Sequence, residues 1–199
     1  IKINRIQTKD NILFIGSVGE EGLGDLRGVK YLFRKGGPKI DSWIGIDGLS
    51  LEKITNKGLG SYRYRISFKG PGGHSWAAFG LANPHHALGE AISNFVTLAD
   101  NFTSKGPKTT YNVGVISGGT SVNSVPFESS MLIDIRSIDP KRLDEMEIIL
   151  KQTCHDALEH QNKIKRIGPN LTLEIEKIGN RPSGELLSLI HISEPTRPR

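Results

Sequence analysis

The 199 residues are 36% hydrophobic and 24% charged with a net charge of +5, which excludes a disordered polar chain and permits an anionic partner without requiring one. The one cysteine excludes an internal disulfide, and no apolar run approaches the length of a membrane span. With no charged-then-apolar leader, a cytoplasmic location is expected, although a start upstream of Ile1 would hide one.

The chain opens in a strand-like alternation, Ile1, Ile3 and Ile6. Ile12-Leu13-Phe14-Ile15 then reads as a strand buried on both faces. Ser17-Val18-Gly19-Glu20-Glu21-Gly22-Leu23-Gly24-Asp25 follows as a glycine-framed turn, ahead of a helical pattern of Leu26, Val29, Tyr31, Leu32 and Phe33. A second run, Trp43-Ile44-Gly45-Ile46, reads as another strand ending on Asp47-Gly48. Strand, helix, strand makes the two strands parallel, so Glu20, Glu21 and Asp47 are expected at one sheet edge, where open α/β sheets build their sites. Carboxylates gathered there repel one another unless a cation or a shared proton offsets the charge. A metal site is the economical reading. The plainer one makes Glu20, Glu21 and Asp25 acids of a helix start, favoured by the macrodipole.

From about residue 61 the texture changes. Tyr62, Tyr64, Ile66 and Phe68 alternate with Arg63, Arg65, Ser67 and Lys69, the pattern of a half-exposed strand. Asn83-Pro84 starts a helix with Leu88, Ala91, Ile92, Phe95 and Leu98 on one face. Strands follow at Tyr111, Val113, Val115 and at Met131, Ile133, Ile135. Asp139-Pro140 opens a second helix bearing Leu143, Met146, Leu150, Cys154 and Leu158, with Cys154 as core filler. Leu171, Leu173 and Ile175 close the pattern as a fourth strand. The order β-α-β-β-α-β predicts a ferredoxin-like α+β module: a four-stranded antiparallel sheet with two helices on one side, inserted into a parallel α/β piece. Lys163-Ile164-Lys165-Arg166, the only basic cluster, reads as a solvated face or loop.

Two loops of this module carry candidate chemistry. Lys69-Gly70-Pro71-Gly72-Gly73-His74-Ser75-Trp76 places a histidine on an exposed turn, where a site residue and an incidental one are equally expected. Ile116-Ser117-Gly118-Gly119-Thr120-Ser121-Val122-Asn123-Ser124-Val125-Pro126 is too long for a tight hairpin and hints at a working loop. Arg136 lies on the opposite strand face from Ile133 and Ile135. It is a solvated charge, a partner for the Asp134 side of the sheet, or a planar clamp for a substrate carboxylate.

Val18-Gly19-Glu20-Glu21-Gly22-Leu23-Gly24 followed by Ile46-Asp47-Gly48, with the two loops, resembles the co-catalytic zinc peptidases related to aminoacylase, peptidase T, glutamate carboxypeptidase, acetylornithine deacetylase and succinyl-diaminopimelate desuccinylase. The resemblance covers essentially residues 1–186. It implies a catalytic domain fragment over 1–60, a lid or dimerisation domain over 61–178 and a return to the catalytic domain over 179–186. It implies Glu20 as general base, Glu21 and Asp47 as ligands of two zinc ions (cobalt or manganese being possible substitutes), and His74 polarising the scissile carbonyl, often from the partner subunit. Asn123 and Arg136 would hold the free carboxylate of a small peptide or N-acyl amino acid. A homodimer through the lid is implied, with no nucleic acid and no membrane. The His-x-Asp that the family carries upstream and its distal His ligand are absent, so the chain by itself is expected not to hydrolyse peptides. Residues 187–199 resemble translated sequencing-adapter read-through and are set aside as a non-native tail.

Two rival readings stand beside this one. The module is an inactive dimerisation or structural relic, or it is a nucleic-acid-binding sheet. RNA-recognition sheets stack bases on aromatics of their central strands. The strands expected at the centre, around Tyr111 and Met131, offer one aromatic between them and no RNP1 pattern.

Overall fold

The computed structural model describes residues 7–48 and 55–185, and the chain divides into two compact units, Ile1–Gly48 and Leu49–Arg199. The alternation at Ile1, Ile3 and Ile6 and the tail from Leu187 lie outside the described residues.

The first unit is built around one short helix, α1 (Arg27–Leu32), preceded by a single 3-10 turn at Gly22–Gly24. The segment before the turn folds back onto α1: Arg27 N–H donates to the Gly19 carbonyl at 3.2 Å and Gly28 N–H to that of Val18 at 3.0 Å. A Cβ at position 24 would meet Gly19 O at 2.6 Å, and one at 28 would meet Val18 O at 2.7 Å. Glycines are required here because backbone touches backbone. Phe33, just past the helix, packs edge-on against Trp43, ring centroids 5.5 Å apart.

The runs Ile12–Ile15 and Trp43–Ile46, expected to be buried parallel strands, form no ladder among the described residues. Phe14 is 79% exposed and Ile46 94%. An apolar run becomes a strand only when neighbouring backbone takes up its N–H and C=O groups, and no strand within residues 7–48 does so.

The second unit runs β1 (Lys57–Gly58), β2 (Gly60–Lys69), β3 (Gly73–His74), α2 (Pro84–Thr103), β4 (Thr109–Gly118), β5 (Ser124–Val125), β6 (Glu128–Ser137), α3 (Pro140–Ile164), β7 (Thr172–Arg181) and β8 (Gly184–Glu185). The long strands form one antiparallel sheet ordered β4-β6-β2-β7. With α2 and α3 packed on one face, this is the expected β-α-β-β-α-β sandwich. β1 and β8 pair with each other, so the chain enters and leaves the sandwich side by side.

Both helices begin as their sequences dictate. The Asn83 side chain accepts from His85 N–H and that of Asp139 from Lys141 N–H, each followed by a proline at the first helical position. The core joins Tyr64, Ile66 and Phe68 of β2 and Met131, Ile133 and Ile135 of β6 to Leu88, Ala91 and Phe95 of α2 and Leu143, Met146, Leu150 and Cys154 of α3. Fully burying a side chain such as Phe95 contributes about 1.5–3 kcal/mol. Two expected core positions turn outward. Leu98 is half exposed, with Ala99 buried in its stead. A register shift between Val113 and Val115 sets Val113 opposite Ile133 but Val115 opposite Leu132, on the open face.

The central strands are β6, around Met131 as expected, and β2; β4, around Tyr111, is an edge strand instead. The β2 aromatics Tyr64 and Phe68 face the helices. The open face instead carries ion pairs: Arg63 and Arg136 on Asp134, Arg65 on Glu176 and Lys69 on Glu174. A base-stacking sheet needs exposed central aromatics and unneutralised cations, and this face offers neither arrangement. No helix among the described residues is long and apolar enough to cross a membrane.

Glu147 of α3 sits between Lys151 at 2.6 Å and Lys177 of β7 at 2.7 Å. Burial alone would raise its pKa, but hydrogen bonds from the two lysines prevail and take it from 4.5 to about 2. A carboxylate depressed in the folded state contributes stability above its unfolded pKa and loses it as pH falls through the folded one. The melting temperature should therefore drop between about pH 5 and pH 2, and Glu147→Gln should flatten that drop while lowering the value at neutral pH. A wild-type acid profile unchanged in Glu147→Gln would count against this ion pair.

Candidate functional site

The acidic candidates belong to the first unit. Glu20 is half-buried and Glu21 exposed. Glu21 stands immediately before the 3-10 turn in extended backbone, and its carbonyl accepts from Gly24 N–H at 2.9 Å. Exposed Asp47 accepts from Gly48 N–H through Oδ1 at 2.8 Å. Asp25, in a left-handed conformation with Leu26 beside it, pairs with Lys30. Among the described residues, no three His, Cys, Asp or Glu side chains converge as a metal centre would require. The expected gathering of Glu20, Glu21 and Asp47 rested on parallel pairing of two strands, and that pairing is not formed.

In the sandwich, the two candidate loops meet. β3 and β5 form a two-residue antiparallel ladder with Gly73 opposite Val125 and His74 opposite Ser124. Ser75 N–H donates to the Asn123 carbonyl at 2.9 Å, and Gly70 N–H to that of Phe127 at 2.8 Å. His74 and Asn123 are thus neighbours at one tip of the sandwich, fixed by backbone bonds.

The polarity of each side chain is set locally. Trp76 N–H donates to His74 Nδ1 at 3.3 Å. With Nδ1 accepting, the proton of the neutral ring sits on Nε2, which becomes a hydrogen-bond donor. Ser121 Oγ donates to Asn123 Oδ1 at 2.9 Å and is 2.8 Å from Ser124 Oγ. The Asn123 carbonyl is occupied, and its amide nitrogen brings two donors to any acceptor that arrives. The tip therefore supplies hydrogen-bond donors, suited to a carbonyl oxygen or a carboxylate.

Arg136 lies elsewhere. It pairs in register with Ser61 and Thr110, whereas Ser129, at the tip end of the same strand, pairs with Gly118. Arg136 lies seven steps along β6 from Ser129, roughly 23 Å at about 3.3 Å each. Arg136 Nε donates to Asp134 Oδ2 at 2.6 Å, and Arg63 Nε to the other oxygen at 2.8 Å. Burial would raise the Asp134 pKa, but the hydrogen bonds from Arg136 and Arg63 outweigh it and hold the carboxyl below its ordinary value.

Cys154 and His160 have structural roles. Burial pushes the Cys154 thiol up to about 12, consistent with core filler. His160 lies 2.8 Å from a Glu90 oxygen, bridging α3 to α2. Ser121 and His85 are the residues the sequence did not single out. The hydroxyl of Ser121 orients Asn123, and the ring of His85 lies against Gly119. The Ser121–Asn123 spacing gave a faint signal for the first; nothing local could have given the second.

The profile of the peptidase dimerisation domain matches residues 54–162. Among curated proteins, none matches the sequence. The chain is similar in structure to AtUAH in complex with (S)-hydroxyglycine, at 18% identity and a TM-score of 0.56, covering 65% of this chain and 29% of that one. It is similar to a hydantoinase/carbamoylase family amidase from Burkholderia ambifaria, at 14% identity and a TM-score of 0.53, covering 64% and 29%. It is also similar to aminopeptidase PepT from Bacillus cereus ATCC 10987, at 16% identity and a TM-score of 0.51, covering 70% and 34%. At these identities the likeness is one of fold. The chain spans only 29–34% of the length of these structures.

The loop bearing Asn123 leaves β4 at Gly118, whose φ is 131° and where a Cβ would lie 2.4 Å from the Glu128 carbonyl oxygen. Gly118→Ala should destabilise the sandwich by about 1–3 kcal/mol. Gly89→Ala, at an α2 position with open space around it, should stabilise it by up to about 1 kcal/mol. Denaturant melts of both variants check the pair; equal stability of the two would refute the strain at Gly118.

Proposed function

The chain belongs to the peptidase dimerisation domain family, and we propose that its parent protein is a zinc-dependent hydrolase of amide bonds in small peptides or N-acyl amino acids. The observation that carries this reading is the backbone-fixed pair of donors at the tip, His74 Nε2–H beside the Asn123 amide. Similarity in fold to an amidase and an aminopeptidase supports it. The β1–β8 ladder supports reading the sandwich as a lid inserted into a catalytic domain, with residues 1–60 and 179–186 on the catalytic side.

Carboxylates are fitting zinc ligands, and Glu21 and Asp47 are the ones proposed to hold the metal. They are part of a ligand set, since each ion takes about three protein ligands. When bound, the metal supplies a water of lowered pKa. Glu20 would be the residue that takes a proton from the attacking water and hands it to the departing amine nitrogen as the amide C–N bond breaks. His74 Nε2–H donates to the carbonyl oxygen as negative charge develops there. The Asn123 amide and the Arg136 guanidinium bind the substrate carboxylate.

One lid cannot present all of these groups together, because Arg136 and the His74–Asn123 tip lie at opposite ends of the sheet. β4 is an edge strand. A two-fold dimer that paired two β4 edges antiparallel would set the tip of one lid beside the Arg136 end of the other. On this reading the partner's His74 and the partner's Asn123 complete each site.

In the intact enzyme, Glu20→Gln should lower turnover by ~10²–10⁴-fold with zinc retained, while Glu21→Ala should lose zinc. Turnover and metal content, measured together, test the roles; full activity in Glu20→Gln would overturn them and leave dimerisation as the domain's only function. His74→Ala and Arg136→Ala should each be nearly inactive, yet unfolding and refolding them mixed should restore about a quarter of wild-type activity, since half the dimers are mixed and one site in each is whole. No recovery on mixing would place both residues in the same subunit's site.

A further inference from the structure

His85 stands in the first turn of α2, where its N–H caps onto Asn83 Oδ1 at 2.8 Å. Its Nδ1 lies 2.7 Å from Ser129 Oγ, and Ser129 is fully buried at the start of β6. Ser129 in turn sits opposite Gly118 in the β4–β6 ladder. The far edge of the ring faces the next residue of that corner: a Cβ built on Gly119 would lie 2.7 Å from His85 Nε2. The imidazole therefore occupies the space that a side chain at position 119 would take. Gly119 itself has φ 78°, so position 119 needs glycine both for its backbone and for the ring beside it.

We propose that His85 is a positioning residue for the loop that bears Asn123. The loop has two anchors. Downstream, β5 is bonded to β3; upstream, the His85 ring is wedged between the buried Ser129 hydroxyl and the Gly119 backbone. Between them, Ser121 closes onto Asn123 and Ser124. Without the ring, Gly118 and Gly119 become two adjacent glycines that have lost the atoms packed nearest the second, and a buried hydroxyl loses its partner. The Asn123 donors would then no longer be held in one place. The inference rests on the proposed role of Asn123 in binding a carboxylate, but its structural half can be tested apart from that role.

The first test uses the ¹⁵N-labelled chain as it is. In His85→Ala, backbone order parameters of Gly119–Asn123 should fall from the ordered range near ~0.85 to below about 0.6, while those of β2, β6 and α3 hold. His85→Asn places an amide nitrogen where Nδ1 was, and should keep the Ser129 bond but leave Gly119 uncovered. His85→Gln reaches to the Nε2 position and should recover order at Gly119. Unchanged order parameters in His85→Ala overturn the proposal; should that variant fail to fold, a mobile loop in His85→Gln overturns it equally. In the intact enzyme acting on N-acetyl amino acids, His85→Ala should raise KM about five- to tenfold, the worth of one displaced hydrogen bond, with kcat within about twofold. Asn123→Ala separates the two ideas. If it leaves KM unmoved, the carboxylate role of Asn123 is wrong; if it raises KM and His85→Ala does not, the positioning role of His85 is wrong.

Discussion

The period-two alternation of β2 and β6, the two central strands, is the constraint on which the sandwich depends. One face of each is apolar because α2 and α3 cover it, and the other must then be made compatible with water. Arg63, Arg65 and Lys69 on β2 could have made that open face strongly basic. Asp134, Glu174 and Glu176 on the flanking strands pair with them and neutralise it. Exposed pairs of this kind add little stability each. Their effect is on partner choice: a face of matched charges has no reason to attract a polyanion.

The same sheet decides where chemistry can be placed. Strands of ten residues have two distant ends, and this one separates its candidate groups between them. At the end where β1 and β8 pair, the chain comes in and goes out and Arg136 is held by Asp134. At the other end, the two loops are locked by the β3–β5 ladder and the Ser75–Asn123 bond. A tip of this kind can be fixed in shape while remaining exposed, which a site that must meet groups from elsewhere requires. The separation along one lid becomes proximity across a two-fold axis, so the proposed dimer follows from the sheet's length as much as from the family to which the chain belongs.

The sandwich was legible in the sequence because its signals are local. Asn83-Pro84 and Asp139-Pro140 announce helix starts, and the alternations at Tyr62–Phe68 and Met131–Ile135 announce half-buried strands. What the sequence did not show is whatever register decides. The sheet order made β2 central in place of β4, and one register shift beside Gly114 turned Val115 outward. Motif spacing alone grouped Arg136 with Asn123, whereas pairing puts them at opposite ends. His85 carried no local signal, because its contacts with Gly119 and Ser129 cross 34 and 44 positions of chain. In the first unit the apolar runs were plain, but a run names residues that favour burial and does not provide the neighbouring strands that bury them.

The glycine-framed acidic turn shows how a motif can have two causes at once. Gly24 and Gly28 are required by backbone packing against Gly19 and Val18, and would be required whatever the acids did. That alone would justify the plainer reading of a helix start. A helix start, however, needs no strain, and here Asp25 and Leu26 are both held in left-handed conformations at φ 50° and 60°. Each costs a non-glycine residue about 1–3 kcal/mol, and such costs persist where something beyond local folding selects them. A turn that served only to begin a six-residue helix could have put glycine at either position. The left-handed pair at Asp25 and Leu26 is therefore a feature of the first unit that the glycine contacts alone do not account for.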